Sequence, residues 1–458
     1  MTVVYQRARW LDRLIHAAVY GVVLLMPFSV LYKLSEPLRP GQVELYVTPG
    51  LELADIPVAV LLLLVVLERW LQRRRGASFA RKRLVFARLV LLLGVLGVVS
   101  AFGAQLPVLA VYTALRWLLA GVVLWAMVQA RVAPRRIAYV LALGLCVHVV
   151  IALLQVWNGA PLGLPGELAL RPGRRSASIV RLGDEMWLRG YGLTFHPNAL
   201  GGYLAVALTL LLPLLSSRSA RVLWGVLSIG LVATLSRSAV LALLLVVPLL
   251  AWSLRRADPR RPSISRRSLV VFGCLAALAI AAFWKPIVVR LDPLIVQLGI
   301  GQGEAVGSEQ GSLEGRREMN AAAIAMIAKH PFLGVGAGNF PIAMPAIANL
   351  RPQYVHNIPL LLGAEVGVAG LLIWLAIAVW AGVVLTRGAA NVWLSAAAAA
   401  SWVIVIIGLF DCYPWSLNAG RLLTVTVLAL MESAAQSSHP LHNQPANEWK
   451  TENRKPEM

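Results

Sequence analysis

Residues 58–67 read VAVLLLLVVL, an unbroken apolar run with Pro57 before it and Glu68 and Arg69 after it. Neither a strand alternation nor an amphipathic helical period passes through it, so no face of this segment suits water. Widened to about 52–70, it approaches the ~20 residues that a helix needs to cross the hydrocarbon core of a bilayer. Runs of the same kind recur at 89–99 and 269–284. Across the 458 residues, 59% are hydrophobic and 14% charged, against about 25% charged in soluble globular chains. The fold class that follows is an all-α polytopic membrane protein.

The formal net charge of +21 points first toward nucleic acid. Its placement excludes that reading. The dense basic runs at 69–88, 131–136 and 255–267 flank apolar segments, which is how topogenic charge is laid out. No small-residue cleavage site follows the first apolar segment, so its helix is expected to be retained. Cys146, Cys274 and Cys412 have no metal-ligand spacing.

About twelve transmembrane helices are expected, at roughly 14–33, 52–70, 87–105, 108–129, 137–157, 197–215, 222–235, 238–254, 268–288, 367–386, 391–409 and 416–433. With the basic N-terminus inside, most Lys and Arg fall on the cytoplasmic side. The division is helices one to nine over 1–288, with a periplasmic loop at about 158–196; a large periplasmic loop domain at 289–366; the last three helices at 367–433; and a disordered cytoplasmic tail at 434–458. Basic residues remain on the far side: Arg171, Arg174, Arg175, Arg181 and Arg189 in the first loop, and Arg316, Arg317, Lys329, Arg351 and His356 in the second. Orientation rules disfavour them there. They are either an anion site, with phosphate the simplest ligand, or solvated and headgroup-facing charge.

Residues 313–330 have helical amphipathicity, with Met319, Ala323, Met326 and Ile327 on one face, and His330-Pro331 ends the helix. Such a helix is expected to lie flat at the interface. Gly334, Gly336 and Gly338 then form either a connecting turn or an amide cradle for phosphate. The apolar run 356–387 is too long for one untilted span and too short for two. Splitting it at Gly367 gives a short helix, 357–366, on the order of 15 Å long, and a full span. A break at that depth must be enclosed by protein or face a water-filled cavity.

His356 opens the short helix with Asn357 placed to cap it. The helix dipole and nearby arginines disfavour imidazolium, so a neutral ring able to act as general base is expected; the alternative is an interfacial histidine bonded to a backbone carbonyl. Arg237, between two apolar segments, is either functional or snorkelling. Asp411 sits similarly between the last two helices, placed to pair with an arginine or to orient His356, and Glu365 is another candidate partner. No acidic DxD cluster or His/Glu metal pattern occurs in the far-side loops, so arginine is expected to neutralise phosphate with neither metal nor cofactor.

His356-Asn357, nine residues, then Gly367-Val368-Ala369-Gly370 resembles the H-[NSQ]-x9-G-x-x-G pattern of the O-antigen ligase family. Residues 315–318 (GRRE) through 330–336 (HPFLGVG) are similar to the helix and turn preceding that histidine in the wider ligase and polymerase superfamily. Arg189-Gly190-Tyr191-Gly192 with His196-Pro197-Asn198 resembles its other signature. The resemblance implies a GT-C-like, metal-independent, inverting glycosyltransferase in the Gram-negative inner membrane, with its active site facing the periplasm. It implies an undecaprenyl pyrophosphate-linked O-antigen as donor and lipid A-core oligosaccharide as acceptor. It assigns Arg189 and Arg316 to the pyrophosphate, His356 to the acceptor hydroxyl, and a functional aspartate to Asp411. Arg237, Arg317 and Asn357 complete the expected substrate-binding set, with membrane lipids as the remaining partners.

An O-antigen polymerase and a protein O-oligosaccharyltransferase share these features. A transporter or flippase predicts ionisable residues inside helices and repeated halves. Arg116 is the clear mid-segment charge, and no internal repeat is visible.

Overall fold

The computed structural model describes residues 9–38, 48–74, 84–165, 167, 178–182, 185–257, 308–344, 353–388 and 391–437, with 281, 284 and 287. Helices account for most of it: α1 (Arg9–Leu25), α2 (Asp55–Arg74), α3 (Val85–Ser100), α4 (Pro107–Ala130), α5 (Pro134–Asn158), α6 (Pro197–Leu211), α7 (Arg218–Thr234) and α8 (Arg237–Ala257). After them come α9 (Ser308–Lys329), the single turn α10 (Phe340–Ala343), α11 (Ile358–Val366), α12 (Val368–Arg387), α13 (Val392–Gly408), the single turn α14 (Tyr413–Ser416) and α15 (Asn418–Ser437). Every expected span meets a helix except the ninth, 268–288, which lies outside the described residues apart from 281, 284 and 287. Arg171, Arg174, Arg175, Arg351 and the tail beyond 437 also lie outside them.

Among the described helices, 6 are long and apolar enough to cross a membrane by length and composition. A strictly all-α chain was expected, yet two short antiparallel ribbons occur in the loops. β1 (Leu31–Lys33) pairs with β2 (Gly50–Glu52), and β3 (Ile179–Leu182) with β4 (Glu185–Leu188). Loop amides that leave water need partners, and pairing supplies them locally.

The centre of the bundle is built from helices that are apolar all round, the signature of full enclosure. In α6 every residue but Asn198 is buried. In α13 the run Ala396 to Ala400 is 0% exposed and packs among α6, α8, α12 and α15. Methyl side chains let helix backbones approach closely where the hydrophobic effect cannot drive association. Gly202 on α6 shows how close: the Tyr413 hydroxyl stands where its Cβ would be.

Side-chain contacts sort the helix ends into two faces. At one, His16 bonds Ala130 O at 3.0 Å, Glu432 accepts from the Val85 and Ala87 amides, and Asn391 donates to Ala434 O at 3.0 Å. At the other, Arg116 pairs with Asp55 at 2.9 Å, and Asn357 donates to Leu409 O at 3.3 Å. The candidate site lies on this second face.

The break between α11 and α12 falls where the glycine pattern placed it. Gly367 has φ 81° and Gly334, Gly336 and Gly338 are also left-handed, at 65°, 99° and 74°, conformations that cost other residues energy. The glycine turn is pressed against the end of α11. Val335 N donates to Ala364 O at 2.8 Å, Gly336 N to Glu365 O at 3.1 Å, and Val368 N to Pro331 O at 2.8 Å. The polar groups freed by the break are thus satisfied by protein, as a break within a membrane-type bundle requires. The turn's amides face this helix end, which answers the choice between connector and phosphate cradle in favour of the connector. Ahead of it, α9 buries Met319, Ala323 and Met326 (2%, 0% and 8% exposed) and packs on α11.

Candidate active site

His356 sits in the loop entering α11, fixed from both sides. The Asn357 side chain caps the helix, accepting from Leu360 N at 3.0 Å. Its amide nitrogen reaches Leu409 O, tying this loop to the end of α13. Upstream, the Tyr354 hydroxyl donates to Gly338 O at 3.2 Å. These bonds hold the ring with Nδ1 3.8 Å from Asp411 Oδ1, with side-chain exposures of 26% and 8%. That separation is an ion-pair distance beyond hydrogen-bond reach, and Nδ1 is buried without a hydrogen-bond partner. The exposed quarter of the ring is therefore its other edge.

Asp411 is itself held. Oδ1 accepts the Cys412 and Tyr413 amides at 2.8 and 3.4 Å, and Oδ2 accepts the Asn198 amide at 2.8 Å. Asn198 Oδ1 in turn accepts from the Arg189 guanidinium at 2.6 Å. This orientation of Asn198 is the one that turns its oxygen to the cation and its nitrogen to the anion. Arg189 is 1% exposed. Its Nε donates to Thr234 O at 2.9 Å and a terminal nitrogen to Leu235 O at 3.4 Å. Leu235, left-handed at φ 48°, ends α7. A relay of polar contacts thus runs Arg189, Asn198, Asp411, His356.

The electrostatics correct one expectation. Burial alone would push the imidazole toward its neutral form, but the Asp411 carboxylate and the Cys412 thiol beside the ring raise its pKa above the ordinary value. The expected neutral ring assumed arginine neighbours; the group facing Nδ1 is a carboxylate. Asp411 shows the reciprocal effect. Burial raises it, and the stronger influences of His356, His196 and Asn198 carry it well below the usual carboxylate range.

The remaining expected residues fall around this centre. Arg237 opens α8 two residues after Leu235 and is exposed. Arg316 is half-buried and Arg317 exposed on α9. Both α9 and α11 end at the glycine junction, and α9 packs on α11. Glu365 is not a partner of His356. It is 0% exposed, accepting from Trp415 Nε1 at 2.9 Å and Phe340 N at 3.2 Å.

A layer behind Asp411 was not anticipated. Arg421, 4% exposed in the first turn of α15, donates to Trp415 O and Ser416 O at 2.9 and 3.0 Å. Trp415 stacks on Trp117 with centroids 4.4 Å apart. Next to it Arg116 pairs with Asp55, and Asn418 reaches Glu52 and Asp55 at 3.4 Å each. Burial among these groups pushes Glu52 up to about 7. Arg116 is therefore not alone as an ionisable group inside the bundle: Arg421, Glu432 and Glu68 are buried there too. Among the described residues, the donor atoms of His356, Asp411 and Cys412 also lie within 4.8 Å of one another.

Fold and site together define a polytopic helical membrane protein with a half-buried histidine against a buried aspartate at one end of its bundle. Residues 222–375, about a third of the chain, match the family model described as O-Antigen ligase. No curated protein matches the chain. The match contains Arg237, Arg316, Arg317, His356 and Asn357; Arg189, Asn198 and Asp411 lie outside it, and the fold brings the last three to His356.

Proposed function

We propose that this protein is a metal-independent, inverting glycosyltransferase that moves O-antigen polysaccharide from undecaprenyl pyrophosphate to lipid A-core oligosaccharide. In this reading it spans the Gram-negative inner membrane about twelve times, with a GT-C-like arrangement and the His356 face toward the periplasm. The observation that carries it is the 3.8 Å approach of Asp411 to a histidine inside the O-antigen ligase match.

His356 takes the proton from the acceptor hydroxyl through its exposed edge, while Asp411 orients the ring and stabilises the imidazolium that forms. The hydroxyl oxygen attacks the anomeric carbon as the bond to the pyrophosphate oxygen breaks, and the leaving group departs with the electron pair. Arg316, which makes no hydrogen bond or ion pair with another described residue, is available for direct contact with the diphosphate, helped by Arg237 and Arg317. Arg189, already committed to Asn198 and two carbonyls, contributes its charge and the placement of Asn198. An apolar cavity of about 60 Å³, lined among others by Ile358, Leu362, Pro414 and Trp415, opens beside the segments carrying His356 and Asp411.

The test is reconstitution in detergent with undecaprenyl pyrophosphate-linked glycan and lipid A-core. Transfer by the purified protein, lost in His356→Ala, supports the reading; extension of the lipid-linked glycan without transfer to core makes it a polymerase instead.

A further inference from the structure

We infer that His356, Asp411 and Cys412 form a site for a soft divalent cation of the zinc class, and that its occupation silences the transferase. Only the second half rests on the proposed role of His356.

Three observations converge. A ring nitrogen of His356, the Asp411 carboxylate and the Cys412 thiol lie within 4.8 Å of one another. Zinc bonds to histidine nitrogen and carboxylate oxygen are about 2.0–2.2 Å, and to sulfur about 2.3 Å, so one ion bridges the 3.8 Å between Nδ1 and Oδ1. The widest separation closes with side-chain rotation of about 1 Å. Next, Nδ1 is a buried ring nitrogen with no hydrogen-bond partner, and an orphaned buried polar atom is an established mark of a missing water or ion. Finally, the charges balance. A dication with one thiolate, one carboxylate and a neutral imidazole is net neutral, which suits a site where Asp411 and Cys412 are 6% and 4% exposed. The second carboxylate oxygen, bonded to Asn198, is the kind of outer support that orients a ligand.

The inhibitory consequence follows from the ring. Neutral imidazole has one lone pair for a metal or a proton. With the cation on Nδ1, the remaining proton sits on Nε2, and the exposed edge has nothing with which to accept the acceptor's proton. The Cys412 proton, and the second ring proton where His356 is imidazolium, are released to solvent on binding.

The experiment uses the full chain purified in detergent, with Co²⁺ as a spectroscopic probe. The expected result is a thiolate-to-cobalt charge-transfer band in the near ultraviolet, saturating at one equivalent and displaced by Zn²⁺. Cys412→Ser removes the band; His356→Ala, which leaves the thiol in place, weakens Co²⁺ binding at least tenfold. Zn²⁺ stops glycan transfer and EDTA restores it. A wild-type protein without the band, or a Cys412→Ser protein that keeps it, overturns the site. A band accompanied by undiminished transfer overturns the inhibitory half. A metal-free protein that transfers nothing counts against the proposed function, while the band still decides the site.

Discussion

The Asn198 amide nitrogen donates to Asp411 Oδ2 at 2.8 Å, closing a gap of 213 residues in the sequence. Through its oxygen the same side chain receives the Arg189 guanidinium at 2.6 Å. Asn198 therefore separates a buried cation from a buried anion while satisfying both. Replacing it with alanine leaves a buried donor and acceptor short of a partner, a cost of about 1–3 kcal/mol. We expect Asn198→Ala to lower kcat with little change in KM, and Asn198→Asp to be worse because it sets a second carboxylate against Asp411. Steady-state kinetics in detergent check this; equal loss in both constants would point to binding instead.

The His356–Asp411 pair predicts a pH dependence. The carboxylate favours imidazolium, so the folded pKa of the ring lies above its ordinary value near 6.5. In the proposed mechanism the base is the neutral ring, so kcat/KM should climb as pH rises toward that pKa. Asp411→Asn should shift the rising limb to lower pH by about 1–2 units and reduce the plateau, since the ring loses its orienting partner. The pair's stabilising contribution has the opposite sense: present in full below the unfolded pKa and lost as pH rises through the folded one. A pH profile recorded with EDTA present tests the shift; an unmoved limb removes Asp411 from the role.

Arg316 separates direct phosphate contact from positioning. Arg316→Ala should abolish transfer, about 10²–10³-fold or more, without loss of membrane expression. Arg316→Lys should recover part of the rate, since charge is kept while the bidentate fork is lost. Near-normal transfer by the alanine variant would strike it from the site.

Trp415 is gripped at its indole by Glu365 and at its carbonyl by Arg421. Removing Arg421 leaves the Trp415 and Ser416 carbonyls without its donors, at a cost of about 1–3 kcal/mol. Arg421→Ala should lower the melting temperature and the yield of monodisperse protein in fluorescence-detected size exclusion. Arg421→Lys should fall between the alanine variant and wild type.

A Cβ at Gly367 would collide with Phe332 O, at a φ of 81°. Gly367→Ala should prevent folding or detach α11 from the glycine turn, read as lost expression or as protease sensitivity near 331–338. Wild-type behaviour would mean that the junction is looser than its hydrogen bonds imply.

Much of this was legible from the chain. Apolar runs such as 89–99 announced helices long enough to cross a membrane because lipid tolerates few alternatives, and of Gly363, Gly367 and Gly370, Gly367 announced the split because it leaves one full span behind a short helix. Asn357 as a cap followed from local residue chemistry, while Asp411 was open between an arginine and His356 as its partner. Contacts made at a distance were not legible. Asn198 stood in a quoted motif without a role, because its value depends on what Arg189 and Asp411 bring to it. Arg421 was absorbed into an apolar span, and only the fold reveals that its targets are the carbonyls of α14. The neutral ring expected of His356 rested on nearby arginines, whereas the carboxylate of Asp411 faces its Nδ1 and raises its pKa.

Because Asp411 must return to Asn198 from the far end of the polypeptide, the arrangement around His356 is completed late in synthesis. A ribosome-bound chain that has inserted only its earlier helices holds the histidine and the arginines but lacks their anionic counterweight. On the proposed function, nascent chains halted before the last hairpin is added would consequently lack transfer activity.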